Sequence, residues 1–493
     1  MYAWGPIMQK LRSEKFSGPS EELRVGVTFP RPDGGPGPTK PGVRLFLKNV
    51  KDFVPEAQKM DQGIDELSKL GFKLTGKGKL TASMKCTKDS FEKAFNIKLE
   101  TVELDINENY AFHSFYFPPD KLPWTPILEG LIDDVYIQWP HTYMSPIPSA
   151  QPPQVTYYHL QMPQDVASLL NAIQLHADGK KGEGVRVAMI DTGFAHETHA
   201  FFATNGYTSE VVLAGDAKDK KKDRFGHGTG QSANFFSLAP GAKFIGVKIA
   251  SNDFDGFDIN PASMLEGFCT ARLQNPDIIY ISGGSNLRDN DKKQRSTLPN
   301  SLKALEAEIL HAVASGITVV AAAGNGAFSF PAMMWEVIAV GGVFVDQNRK
   351  MYASNMASAY DSKIYPGRHV PDVCGLVGME EDRYIMLPIP PGCVIDILKA
   401  ADPNSGTTTN DGWAAFSGTS AAAPKIAGVC ALLKARKPSL TPSEIKKVLQ
   451  DSAIKVLEGS SNPLSSDNRI PQTGALATGA GLVDAFRAWQ AVK

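Results

Sequence analysis

Three short segments of the 493-residue chain each set one reactive side chain beside glycine: IDTG carries Asp191, FGHGTG carries His227 and SGTS carries Ser420. A serine hydroxyl attacks a carbonyl carbon only once a base takes its proton, and an imidazole base needs its tautomer fixed by a third group. A carboxylate, an imidazole and a hydroxyl are therefore the parts of a covalent acyl-transfer site. Asp191 ends the apolar run VRVAMI and precedes the turn Thr192-Gly193, where a carboxylate is costly unless it has a hydrogen-bonding duty. His227 lies between Gly226 and Gly228 at the start of a predicted helix, with an uncrowded imidazole and room for a substrate backbone. Ser420 opens a long predicted helix followed by the small residues Ala421 to Ala423, so the positive helix end faces charge that develops there. In AAAGNG, Asn325 stands at a strand end, and its amide can donate to an oxyanion together with the backbone N–H of Ser420. Singly, each segment has a plainer reading: a turn aspartate, an isolated histidine, a serine helix cap and a Gly-Asn-Gly turn. His196 and His199, three residues apart, do not reproduce H-E-x-x-H, and no metal site is predicted there.

The elements that must position these groups follow from periodicity. After about residue 160, short β-branched runs (VRVAMI, KFIGVKI, DIIYIS, ITVVAAA, EVIAVGG) alternate with helical stretches such as 300–314 and 420–434. Such runs predict parallel strands buried on both faces, with helices outside: a three-layer, doubly wound α/β unit whose site lies at the strands' carboxyl ends. Residues 29–42 and 139–153 are rich in proline and glycine, and the second stretch is the better boundary. Before it, ELRVGVTF, GKLTASMKCT, IKLETVEL and YAFHSFYF read as strands, and VPEAQKMDQGIDELSKLG and KDSFEKAF as helices. That order suits a small α+β unit of the split βαβ, ferredoxin-like kind. The predicted division is 1–138, a linker at 139–160, and 161–493.

Composition removes several alternatives. With 42% hydrophobic and 21% charged residues the chain is ordinary globular protein. The 51 Lys+Arg against 52 Asp+Glu leave a formal charge of -1, which predicts neither nucleic acid nor a membrane as partner. Five scattered cysteines cannot all pair within the chain and show no CxxC spacing, so no disulfide framework is expected. The start MYAWGPIMQKLRSEKF has no apolar leader, which predicts a cytoplasmic protein or one exported without a leader.

Taken together, IDTG, GHGT, AAAGNG and SGTSAAAP stand in the order Asp, His, Asn, Ser and resemble the subtilisin family over roughly residues 160–493; PSEIKKVLQDSA and GAGLVDAF resemble its C-terminal helices. The resemblance implies a serine endopeptidase with Ser420 as nucleophile, His227 as general base, Asp191 as its orienting acid and Asn325 in the oxyanion hole. It also implies that the backbone of Ser282-Gly283-Gly284 forms one substrate-pairing edge and Phe254-Asp255-Gly256 the opposite one. Activity near neutral or alkaline pH follows, since the base must be neutral to accept a proton.

The departures from the family are specific. The chain passes from the His227 helix straight to LAPGA without the family's tight calcium loop, so no cofactor is required and no calcium is expected at that place. Gly230 replaces a second histidine. The segment from Asn325 to Pro331 is short, which cuts back the rim of the pocket. Residues 379–413 look like an insertion before the nucleophile segment, and Asp253, Asp255 and Asp258 read as a solvated acidic loop.

Residues 20–138 resemble, more loosely, the activation domain of sedolisin or kumamolisin proteases, which implies a pro-domain that assists folding and blocks the cleft until the 139–160 linker is cut. The expected partners are then a peptide or protein substrate and the chain's own pro-domain. Two other readings share these residues: a peptide macrocyclase or transpeptidase, which needs a cleft shielded from water, and a binding module without turnover.

Overall fold

The computed structural model describes residues 22–40, 42–104, 113–117, 128–138, 142–143, 158–249, 263–289, 293–379, 383–401, 406–407, 410–461 and 471–492. The N-terminal unit runs β1 (Glu22–Thr28), α1 (Ala57–Lys69), β2 (Lys73–Lys77), β3 (Thr81–Thr87) and α2 (Lys88–Phe95). A separate hairpin of β4 (Glu100–Leu104) and β5 (His113–Phe117) precedes β6 (Asp134–Ile137). Its antiparallel sheet has the order β2-β3-β1-β6. Helix α1 buries Met60, Gly63, Ile64 and Leu67, one stripe at helical spacing. Strand alternation sends Leu23, Val25 and Val27 of β1 and Ala82, Met84 and Cys86 of β3 into the core beneath the helices.

The other face of that sheet is also buried, because it rests on the C-terminal unit. Strands β9 (Arg186–Asp191), β10 (Ser209–Leu213), β11 (Lys243–Lys248), β12 (Ile278–Ile281), β14 (Thr318–Ala322), β16 (Ile338–Val345), β17 (Met351–Ala353) and β20 (Val373–Leu376) form an eight-stranded sheet, and β18 (Tyr360–Asp361) and β19 (His369–Val370) a short antiparallel pair. The larger sheet has the order β10-β11-β9-β12-β14-β16-β17, with β20 also on β16, and only β17 pairs antiparallel. The five apolar runs read from the sequence are β9, β11, β12, β14 and β16.

Alternation along each strand splits the apolar side chains between two layers. Val187, Met189, Ile278 and Tyr280 face a core shared with α3 (His227–Phe236) and α7 (Thr419–Arg436). Ala188, Ile190, Ile279 and Ile281 face a second core shared with α4 (Ser263–Leu273) and α5 (Asn300–Ala314). Val50, Phe53, Leu80 and Tyr136 of the N-terminal unit complete this second core.

Two buried carboxylates fasten the units together. Glu266 on α4, 1% exposed, accepts from Arg24 Nη1 (3.2 Å), Ser83 Oγ (3.0 Å) and the Thr75 hydroxyl. Glu308 on α5, fully buried, accepts from Leu80 N (3.0 Å), Thr81 Oγ1 (3.1 Å) and Arg272 Nη1 (2.9 Å). Glu308→Ala would leave Arg272, 13% exposed, without its carboxylate. The expected cost is about 3 kcal/mol or more in urea unfolding, and an unchanged midpoint would contradict this account of the interface.

Among the described residues, the 139–160 segment holds two short strands, β7 (Thr142–Tyr143) and β8 (Tyr158–Leu160). Strand β7 pairs antiparallel with β13 (Gly283–Asn286), which follows β12 directly. Strand β8 pairs parallel with β21 (Arg383–Pro388), which in turn pairs antiparallel with β22 (Trp413–Phe416). Short strand β15 (Ser329–Phe330) closes on the far end of β13, so the chain after Asn325 turns straight back against it. No helix among the described residues is long and apolar enough to cross a membrane.

Candidate active site

Asp191 is the last residue of β9, and its carboxylate accepts from His227 Nδ1, with Oδ1 at 2.9 Å and Oδ2 at 3.0 Å. Both side chains are fully shut off from solvent. Thr192 N donates to Asp191 Oδ1 at 2.7 Å, which holds the carboxylate on its own turn. Gly228 is obligatory in this packing: a Cβ there would lie 2.9 Å from the Asp191 Cβ and overlap the Gly193 carbonyl oxygen.

The first turn of α3 is held by a residue that the motif reading passed over. Asp223 is 3% exposed and accepts four hydrogen bonds: from Thr192 Oγ1 and Gly226 N on one oxygen, both 2.9 Å, and from Thr229 N (2.9 Å) and Oγ1 (2.7 Å) on the other. Thr192 Oγ1 accepts in turn from Gly228 N at 3.0 Å. The carboxylate therefore ties the residue after Asp191 to both sides of His227. Burial pushes its carboxyl up, and the Gly226 and Thr229 donors oppose that shift. An aspartate just ahead of a predicted helix start is a capping signal, which DRFGHGT carries.

The loop ahead of Asp223 is fixed by Lys248 at the end of β11. Its ammonium donates to the carbonyls of Lys218 (2.8 Å), Asp219 (2.9 Å) and Lys222 (2.8 Å). A lysine inside the protein thus supplies the positive charge that gathers these carbonyls.

Ser420 is the second residue of α7 and is fully buried. Asn325 lies against the same turn: its Oδ1 accepts from Thr419 N (2.8 Å) and Thr419 Oγ1 (3.0 Å), while Gly324 N donates to Thr419 Oγ1 at 3.1 Å. A Cβ on Gly418 would meet Asn325 Nδ2 at 2.6 Å, so only glycine leaves room for that amide group beside the nucleophile turn. The Asn325 amide oxygen is thus committed to Thr419, the residue before Ser420.

Phe416, at the end of β22, packs with its ring centroid 6.5 Å from that of His227. It brings the segment leading to Ser420 against the imidazole. Ser282 Oγ donates to Ile190 O at 2.6 Å, which anchors the start of β13 beside Asp191. Gly283 and Gly284 pair with Tyr143 and Thr142 respectively. Phe254, Asp255 and Gly256, like Asp253 and Asp258, lie outside the described residues.

The insertion rests on the helix of the imidazole. Val394 N, at the start of α6 (Val394–Ala400), donates to Arg224 O at 2.9 Å, and Ile395 N donates to Phe225 O at 3.1 Å. The space where Gly230 replaces a larger residue is occupied: a Cβ there would meet Ile389 Cγ2 at 3.1 Å and Phe416 Cζ at 3.3 Å. His199 Nε2 donates to Gly412 O at 2.9 Å, while its Nδ1 accepts from Phe201 N at 3.1 Å. His196 is held between Ser209 Oγ (2.6 Å) and Ser232 Oγ (2.7 Å), with burial pushing its imidazole down to about 3. Among the described residues no group of three or more His, Cys, Asp or Glu is placed to hold a metal ion. The five cysteines are buried free thiols.

Lys425, on the turn after Ser420, is fully buried, and its Nζ donates to Ala421 O (2.6 Å) and Leu376 O (3.2 Å). Burial pushes its ammonium well below the usual lysine range.

The comparisons with known proteins agree with this geometry. The model of the subtilase family matches residues 182–481. Subtilisin DY of Bacillus licheniformis is 27% identical over 304 residues, 58% of this chain and 90% of that protein. Serine protease AprX of Bacillus subtilis (strain 168) is 26% identical over 325 residues, 59% of this chain and 67% of that protein. Fervidolysin from Fervidobacterium pennivorans, a keratinolytic enzyme related to subtilisin, superposes with a TM-score of 0.56. That match covers 97% of this chain and 62% of the other at 17% identity, which bears on the fold alone.

Two outcomes follow from the site's buried charges. Asp223→Ala would leave four donors without their acceptor, and the variant should lose about 3 kcal/mol or more in chemical denaturation. Lys425 binds its proton more weakly folded than unfolded, so it opposes folding at neutral pH, and that opposition fades as pH climbs to about 10. Lys425→Met should accordingly be more stable than the parent at pH 7, with the advantage shrinking as pH rises. A variant less stable at every pH would show that the two carbonyl contacts outweigh the desolvation.

Proposed function

The chain belongs to the subtilase family and is a serine endopeptidase, and from that premise we propose that Ser420 attacks the scissile carbonyl while His227 takes its proton. Asp191 holds the imidazole with Nδ1 protonated, leaving Nε2 to accept from the serine and later return the proton to the leaving amine. Asn325 and the backbone N–H of Ser420 bind the oxyanion. The observation that carries this assignment is the buried bond from His227 Nδ1 to both oxygens of Asp191. The orientation of Asn325 by Thr419 is further support. Acidification removes activity, because a protonated imidazole cannot serve as base.

The N-terminal unit is read as a pro-domain with a ferredoxin-like arrangement. Its β-α-β-β-α-β order, interrupted by the β4–β5 hairpin before the last strand, and the strand order β2-β3-β1-β6 support this reading. Residues 20–138 also resemble, in their sequence segments, the activation domains of sedolisin and kumamolisin proteases. The pairing of β7 with Gly283 and Gly284 supports the inhibitory role, since β7 fills the edge on which a substrate backbone would pair. Strand β7 is antiparallel to β13 and so runs back toward Ser282 and the carboxyl ends of β9 and β12. A chain held in that direction is cut on the C-terminal side of Tyr143, before β8 begins at Tyr158.

Expression of the wild type beside Ser420→Ala, with N-terminal sequencing of the fragments, tests this. The wild type should split between residues 143 and 158 while the variant stays whole. A variant that splits at the same bond would remove Ser420 from the reaction. Mass spectrometry of the products from a defined peptide should show hydrolysis, and joined ends would instead favour transpeptidation.

A further inference from the structure

The backbone of the nucleophile turn is held from outside its own helix. In an uninterrupted α-helix the carbonyl of Ser420 accepts from the N–H four residues on. That residue is Pro424, which has no N–H to give. The hydroxyl of Tyr280 donates to Ser420 O at 3.0 Å. Tyr280 is 1% exposed, and the two-residue alternation of β12 turns it, with Ile278, toward the α7 layer. Burial pushes its phenol well up, with Asp191 adding to the shift, so it stays a protonated donor across the working pH range.

We propose that Tyr280 is a positioning residue for the nucleophile: its O–H takes the place of the N–H that Pro424 lacks and fixes the first turn of α7 to the central sheet. The strand that carries Tyr280 is the neighbour of β9, with Tyr280 opposite Met189 and Ile281 opposite Ile190, next to Asp191. One sheet therefore sets both ends of the relay, the acid directly and the serine through the tyrosine hydroxyl. The inference rests on the assignment of Ser420 as nucleophile.

The test is a rescue experiment in the full chain. Wild type, Tyr280→Phe, Pro424→Ala and the double variant are compared for kcat and KM on a peptide substrate and for the rate of phosphonylation by a fluorophosphonate. Tyr280→Phe should lower kcat and the phosphonylation rate about tenfold or more, with KM within about threefold, because a misplaced reacting atom weakens the transition state rather than binding. Pro424→Ala alone should stay near the wild type. In the double variant the backbone N–H restored at position 424 can reach Ser420 O, and most of the lost rate should return.

Wild-type rates in Tyr280→Phe, or a folded double variant as slow as Tyr280→Phe, would overturn the proposal. Should Tyr280→Phe fail to fold, the double variant decides by itself: folded and fast supports the replacement, folded and slow refutes it. A wild type whose Ser420 takes up no fluorophosphonate would instead defeat the assignment of the nucleophile.

Discussion

The hydrogen bond between His227 Nδ1 and Asp191, closed to solvent on both sides, is the constraint to which the rest of this protein is fitted. A buried carboxylate needs partners, and a base needs one tautomer. Both needs are met where a parallel strand ends and a helix begins. The surrounding contacts keep that meeting point in register. Asp223 clamps the helix start, Lys248 gathers the loop ahead of it, and Gly228 allows the approach that any larger residue would block. The insertion adds a further brace through α6, which bonds to the carbonyls of Arg224 and Phe225.

The same logic extends to the second half of the relay. Ser420 opens a helix whose early proline frees a carbonyl for Tyr280, and the Asn325 amide oxygen accepts from Thr419. These contacts join the turn that carries Ser420 to β12 and to the loop that follows β14. The N-terminal unit exploits the sheet from outside. It buries polar side chains on Glu266 and Glu308, and β7, which follows it, pairs with β13. These carboxylate contacts, with the apolar burial of Val50, Phe53, Leu80 and Tyr136, fix the unit on the surface.

Much of this was legible in the sequence because the chain announces it in contiguous signals. Five buried parallel strands are unbroken β-branched runs, and helix 300–314 carries its own period. The four motif residues stand within two positions of glycines that a close approach, as at Gly228, or a positive φ, as at Gly226, Gly324 and Gly418, requires. What stayed hidden depends on partners far apart in the chain. Tyr280 reads as one more apolar residue of a core strand, and its hydroxyl acquires a role only when α7 crosses above it. Strands β7 and β8 are too short to show any period, and their pairing with β13 and β21 is set by partners about 140 and 225 residues away. Asp223 carried a capping signal in DRFGHGT, but a turn aspartate is a common residue, and its four donors come together only in the folded site.

The most direct test of the central claim is to react the processed wild type with a fluorophosphonate and map the modified residue by mass spectrometry, at neutral and at acid pH. The account predicts one phosphonyl group per chain, on Ser420, forming quickly at neutral pH and slowly in acid, where the imidazole is protonated. Modification at another residue, or labelling of Ser420 at the same rate in His227→Ala as in the wild type, would contradict it.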